Sequence, residues 1–288
     1  MTLRAHLAVI AAAFLFGSTF VVVKDAIADA EPIPFLAARF LIAAAVLTPF
    51  ARRSPRERGV AAAGAWCGTA LASGYVVQTV GLQYTSAPVS AFITYLLVVL
   101  VPVMSAAWLR RWPSRPVMAG VLIATIGLFL LTGGIDAMGR GEVLTVGCAI
   151  AFAVHIILLA EYSPRFDLFR LNAVQMAVVG GLCLGPGLWF GGYGFGAKAW
   201  AAAAYTGVAA SAVAMYLQTY GQRRVGPTRT SLLLMIEPVS AALLGVATGD
   251  QLGIRGAIGA GVILAGIAVA ELEALRTPAV RLDPDVAP

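Results

Sequence analysis

The chain has 288 residues, of which 60% are hydrophobic and 12% charged, with mean hydropathy +0.87 and a formal net charge of +6. Soluble domains run at about 45–50% apolar and about 25% charged, so no soluble core of this length hides so much apolar surface, and lipid must be the solvent for most of it. The positive charge does not mark a nucleic-acid binder, because Lys and Arg lie in short loops between apolar runs and not on one face.

A spanning helix needs about 20 mainly apolar residues, and ten runs read as spans. They are Leu7–Val23, Ile33–Phe50, Val60–Val80, Ala87–Trp108, Pro116–Leu131, Leu144–Leu159, Leu171–Phe190, Trp200–Tyr220, Thr228–Ala247 and Ala257–Ala270. The fold class that follows is an all-α integral membrane protein with ten transmembrane helices. Connections are short and carry turn and charge signals such as Arg52-Arg53-Ser54-Pro55 and Arg111-Trp112-Pro113. Residues 275–288, with their Pro and Asp, read as a disordered cytoplasmic tail. Ala26-Ile27-Ala28 resembles a signal-peptide cleavage site, but the run before it is long for a signal core and is read as the first span. Cys67, Cys148 and Cys183 fall inside apolar runs at spacings that fit no zinc or redox motif, and neither a disulfide framework nor a metal or other cofactor is expected.

Fifteen arginines fall on the amino-terminal side of this arrangement, four cations (Lys24, Arg140, Lys198, Arg255) on the other, and Arg39 inside a helix. The bias places both termini in the cytoplasm, as in a multi-pass protein of a bacterial-type inner membrane.

The two halves align. Val77-Gln78-Thr79-Val80-Gly81 in the third span matches Leu217-Gln218-Thr219-Tyr220-Gly221 in the eighth, and Phe16-Gly17-Ser18-Thr19 in the first matches Phe152-Ala153-Val154-His155 in the sixth. Gly120 and Gly127 in the fifth are spaced like Gly259 and Gly266 in the tenth. The halves are read as repeats over 1–134 and 135–274. Five is odd, so the second repeat enters the membrane from the opposite side, and inverted five-helix repeats are the build of transporters that alternate access to a midplane site. A duplicated scaffold for a receptor or membrane enzyme is the competing reading.

Further residues carry a resemblance: Phe14-Leu15-Phe16-Gly17-Ser18-Thr19-Phe20 followed by Lys24, Leu36-Ala37-Ala38-Arg39-Phe40, Thr85-Ser86-Ala87 leading to Pro102-Val103, and Glu237-Pro238-Val239 followed by Gly249-Asp250. On these the chain resembles the drug/metabolite transporter superfamily, in its ten-helix branch with paired EamA-type domains, over roughly residues 5–272. It departs from the family pattern at Phe16, where Trp is usual, at Asp250, where Glu is usual, and at Trp112-Pro113-Ser114. The resemblance implies a basket of ten helices around a central cavity, alternating access, and export of amino acids, often aromatic ones, or of related metabolites.

Ionisable groups at membrane depth are functional suspects. Glu237 lies mid-span just before Pro238, which removes a backbone donor and can open a polar notch in the helix. It reads either as a proton-coupling or substrate-amine site or as a carboxylate pinned to Arg39 or helix ends. Arg39 can meet a substrate carboxylate, but a structural charge, snorkelled or paired, is the weightier reading. His155 is read as cavity-lining beside its repeat mate Thr19, with Phe16, Tyr75, Tyr95 and Met215 as further cavity candidates. Gln78 and Gln218 are gate candidates near opposite faces, though ordinary interhelical bonds would look the same. The pairs Gly181/Gly185, Gly187/Gly191 and Gly245/Gly249 are read as helix-packing sites.

Phosphate-loop, His-Glu-x-x-His and Gly-x-Ser-x-Gly motifs are missing, so an enzyme is not expected and transport has to be driven by gradients. With Arg39 as the sole intramembrane cation, phosphate esters and nucleotide sugars are disfavoured as substrates. The expected function is a secondary transporter exporting neutral or zwitterionic small metabolites, aromatic amino acids first, with possible proton coupling. A multidrug or cation exporter is the alternative, followed by a channel or a membrane-embedded enzyme.

Overall fold

The computed structural model describes residues 2–26, 30–85, 87–110, 112–134, 138–247 and 253–276. The described residues fold as helices, numbered here α1 (Thr2–Ala26), α2 (Pro32–Arg53), α3 (Val60–Gly81), α4 (Ala87–Tyr95 and Leu97–Leu109), α5 (Arg115–Thr132) and α6 (Arg140–Tyr162), then α7 (Leu168–Trp189), α8 (Ala197–Thr206, a π-helical Gly207–Ala214, and Met215–Val225), α9 (Pro227–Leu233 and Ile236–Ala247) and α10 (Ile254–Arg276). Among the described residues, all but α1 are long and apolar enough to cross a membrane, and α1 carries a shorter apolar stretch, Leu3–Thr19. Trp66, Leu122, Ile126 and Leu188 are exposed along the spans, which suits a surface solvated by lipid. The tail expected at residue 275 is helical to Arg276: Ala-Glu-Leu-Glu-Ala-Leu-Arg is made of strong helix formers, and α10 continues through it. Residues 277–288, Asp250, Arg111 and Ile27 lie outside the described residues.

The helix pairings keep their pattern when each helix of the first five is exchanged with the one five later. α2 packs on α7 and α5 on α10; α3 packs on α6 as α8 does on α1; α4 packs on α6 as α9 does on α1. The fit is residue-specific. A Cβ on Gly120 would lie 2.5 Å from the Gly266 carbonyl oxygen, and one on Gly127 would lie 2.8 Å from that of Gly259; Gly259 and Gly266 return the same contacts. The two helices are therefore antiparallel and backbone to backbone, an approach only Gly permits. Gly68 likewise meets Gln175 O and Val178 as Gly207 meets Arg39 O and Ile42.

The packing glycines differ in part from those expected. Gly181 and Gly185 have nothing within 4 Å of a Cβ, whereas Gly64, Gly68, Gly120, Gly127, Gly180 and Gly221 are filled by a neighbouring helix. Of the expected glycines Gly187 is packed, a Cβ there lying 3.1 Å from Pro34 Cα, while Gly181 and Gly185 are not, because spacing carries no information on which face of the helix is inward. Gly249 lies outside the described residues.

The fourth helix of each half is broken at matching depth. In α4 the break is at Leu96, whose carbonyl accepts Val99 N–H at 2.9 Å; in α9, Met235 N–H bonds Leu232 O at 3.0 Å and Glu237 N–H bonds Leu234 O at 2.9 Å. Pro238 explains the second break: without an N–H it leaves Leu234 O, one turn back, to be taken by Glu237 in a tighter turn. Backbone irregularity at membrane depth is tolerated where it lines a cavity. The π-helical segment of α8 has a different origin. One residue more separates Gln78 from Gln218 than separates Gly68 from Gly207, so α8 carries an extra residue relative to α3, and the wider π-turn absorbs it.

Candidate functional site

A cavity of about 380 Å³ lies between the halves, within the range of small-molecule sites. Phe16 and Thr19 come from α1, Arg39 from α2, Tyr75 and Gln78 from α3, Tyr95 from α4, His155 from α6, Met215 and Gln218 from α8, and Glu237 from α9; all ten of the residues singled out from the sequence border this one space. Leu71, Thr94, Phe152 and Ile156 complete much of the wall. Tyr75 is wedged edge-on between Phe40 and Phe152, at centroid distances of 5.0 and 5.1 Å, which fixes the ring.

Arg39 does not snorkel. Its residue is 3% exposed; Nε donates to Ser211 Oγ at 2.7 Å, and the guanidinium lies 5.0 Å from the Tyr75 ring centroid. Glu237 is half-buried at the α9 break, with the Tyr95 hydroxyl as its polar neighbour on the cavity wall. Among the described residues, neither Arg39 nor Glu237 belongs to an ion pair. The cavity thus presents one cation and one carboxylate, both supported by neutral donors or acceptors and rings.

His155 Nε2 is 2.8 Å from Gln175 Oε1, an acceptor, so this ring nitrogen is the one that carries the proton. Gln175 Nε2 reaches Asn172 Oδ1 at 3.4 Å, and Thr219 Oγ1 donates to the same oxygen at 3.2 Å. A buried polar chain therefore leads from the cavity wall toward the face that carries the amino terminus. On that face Gln222 Nε2 donates to the Ile156 carbonyl, Arg170 Nη2 to Ala51 O and Ser54 O at 2.7 Å each, Glu57 accepts from Asp167 N–H at 2.8 Å, and His6 meets Glu271 at 2.8 Å. On the opposite side the cavity lining runs past the end of α3 to Leu82 and Thr85, and Thr85 donates to Glu142.

The equivalent contacts of the two halves are unequally tight. A Cβ on Gly221 would lie 2.5 Å from both Ala5 O and Val9, whereas on its mate Gly81 the nearest atoms are Thr145 Oγ1 at 3.1 Å and Gly141 O at 3.3 Å. The contact at the amino-terminal face is thus tighter than its counterpart at the opposite one. Gln78 donates to Thr94 Oγ1 at 3.2 Å, within its own half. Gln218 is 4% exposed at the floor of the cavity, about 10 Å short of the end of α8.

Sequence reasoning missed Ser211, Gln222 and the linked trio Asn172, Gln175 and Thr219. For Gln175 a signal existed: Gln175 O receives Gly68 as Arg39 O receives Gly207, which makes these two polar residues counterparts.

Among the described residues, apolar helices packed around a polar-spotted cavity fit a multi-pass membrane transporter. The EamA-like transporter family profile matches residues 3–133 and again 139–271, and the chain belongs to that family. It is 35% identical over 161 residues to an uncharacterized transporter of Archaeoglobus fulgidus, a match that spans 56% of this chain but only about half (50%) of the relative's length. A second uncharacterized transporter of the same organism is 26% identical over 190 residues, covering 66% of this chain and 68% of its own. A solved crystal structure superimposes with TM-score 0.81 at 20% identity over 93% of this chain and 98% of the other, a likeness of fold.

Proposed function

We propose that the protein is a secondary transporter that exports small neutral or zwitterionic metabolites, amino acids and aromatic ones among them, by alternating access. The observation that carries this reading is the inequality of equivalent contacts around one cavity: tight at Gly221 and slack at Gly81. If the two five-helix repeats are inverted, as the antiparallel Gly120–Gly266 and Gly127–Gly259 contacts support, exchanging their conformations moves the opening to the other face. The fifteen-to-four bias of Lys and Arg supports a cytoplasmic amino-terminal face, as in a bacterial-type inner membrane. Repeat boundaries at 134/135 fit the two stretches matched by the family profile.

Arg39 weighs against a multidrug or cation exporter, because a lone cation drawn to Glu237 would still be repelled by the guanidinium across the cavity. Glu237 is the group through which protons would couple to transport, with Tyr95, Arg39, Tyr75 and His155 as its polar neighbours around the cavity. Purified protein in liposomes, loaded with a panel of labelled amino acids, tests the reading. Efflux of aromatic amino acids, faster when the outside is acidified, is expected; no movement of any amino acid overturns the substrate assignment.

A further inference from the structure

An arginine held at 3% exposure at membrane depth without a carboxylate partner is an expensive arrangement unless something else neutralises it. Ser211, presented by the extra residue's π-turn in α8, occupies Nε; the terminal amino groups, beside Tyr75, are the pair that forks onto a carboxylate. Across the same cavity stands the Glu237 carboxyl group, with Tyr95 as its neutral neighbour and no ion-pair partner among the described residues. A simple anion would satisfy Arg39 and be repelled by Glu237; a simple cation would do the reverse. A molecule that carries both charges satisfies both.

Resting on the transport reading above, we infer that Arg39 and Glu237 form a head-group clamp for a zwitterion: Arg39 takes the carboxylate, Glu237 the ammonium, and the substrate's side chain lies among Phe16, Tyr75 and Phe152. Ser211 is a positioning residue that aims the guanidinium. The clamp selects α-amino acids with both head groups free, and the ring-lined wall favours apolar or aromatic side chains.

The test is competition against labelled phenylalanine transport in proteoliposomes by four analogues of one ring: phenethylamine, 3-phenylpropionate, the methyl ester and the N-acetyl derivative. In the wild type each analogue is expected to compete at least roughly ten-fold more weakly than phenylalanine, since a charge-assisted hydrogen bond left unmade is worth about a factor of ten or more. Arg39→Gln should erase the preference for the free acid over the ester while keeping that for the free amine over the N-acetyl form. Glu237→Gln should do the opposite, and Ser211→Ala should weaken only the acid–ester preference. If the wild type fails to discriminate among the analogues, the clamp is wrong even though transport stands; the wild-type series needs no variant to fold. Equal loss of affinity for all analogues in both Gln variants also overturns it. Absence of any phenylalanine flux in the wild type overturns the transport reading, and the clamp with it.

Discussion

Gly127 and Gly259 bring two helix backbones close enough that neither site accommodates a side chain. Gly127→Val is therefore expected to destabilise the protein by about 1–3 kcal/mol through overpacking, read as a lowered melting temperature in detergent. Gly181→Ala and Gly185→Ala, which meet nothing, should change stability by no more than about 0.5 kcal/mol. Glu237→Gln should abolish acceleration of efflux by external acid; an unchanged pH-gradient response would remove Glu237 from coupling. These two kinds of residue differ in how legible they were. Glu237, Arg39 and His155 stood out because ionisable side chains are rare in apolar runs. Ser211 was silent: one Ser among Ala and Gly in α8 carries no signal until the structure sets it against Arg39. The glycines were numerous enough that spacing picked Gly187, which is packed, together with Gly181 and Gly185, which are not.

Among the elements, α8 and α9 both depart from regular helix and both reach the cavity wall, through Met215, Gln218, Leu234 and Glu237. The α9 break was readable from Pro238, whereas its counterpart at Leu96 has no proline beside it, and the α8 insertion needs a residue-by-residue match between the halves. The tighter face depends on the end of α8, where Gln222 holds the Ile156 carbonyl and Thr219 holds Asn172. Gln222→Ala removes a bond worth about 0.5–1.5 kcal/mol, so it should shift the balance between closed and open inner faces by roughly two- to ten-fold. That shift is measurable as faster labelling of a cysteine introduced at Thr219 by a membrane-impermeant thiol reagent applied from the amino-terminal side. Cross-linking Asn172→Cys to Thr219→Cys should stop transport while leaving solute binding from the opposite face intact; transport that persists with the cross-link formed would show that this seam does not open.

For the molecule as a whole, the all-α membrane class and the helix spans were legible because a bilayer allows few solutions and hydropathy reports them directly. What hydropathy does not report is which face is the more tightly packed, since that depends on differences of less than an ångström between equivalent contacts. The central claim is that one cavity is exposed alternately to two sides. Counterflow tests it most directly: proteoliposomes preloaded with unlabelled phenylalanine are diluted into trace labelled phenylalanine with no other gradient. A carrier with a single alternating site should accumulate label transiently above equilibrium, saturably and only when preloaded. Simple equilibration of the label, indifferent to preloading and linear in concentration, would mark a channel and contradict the account.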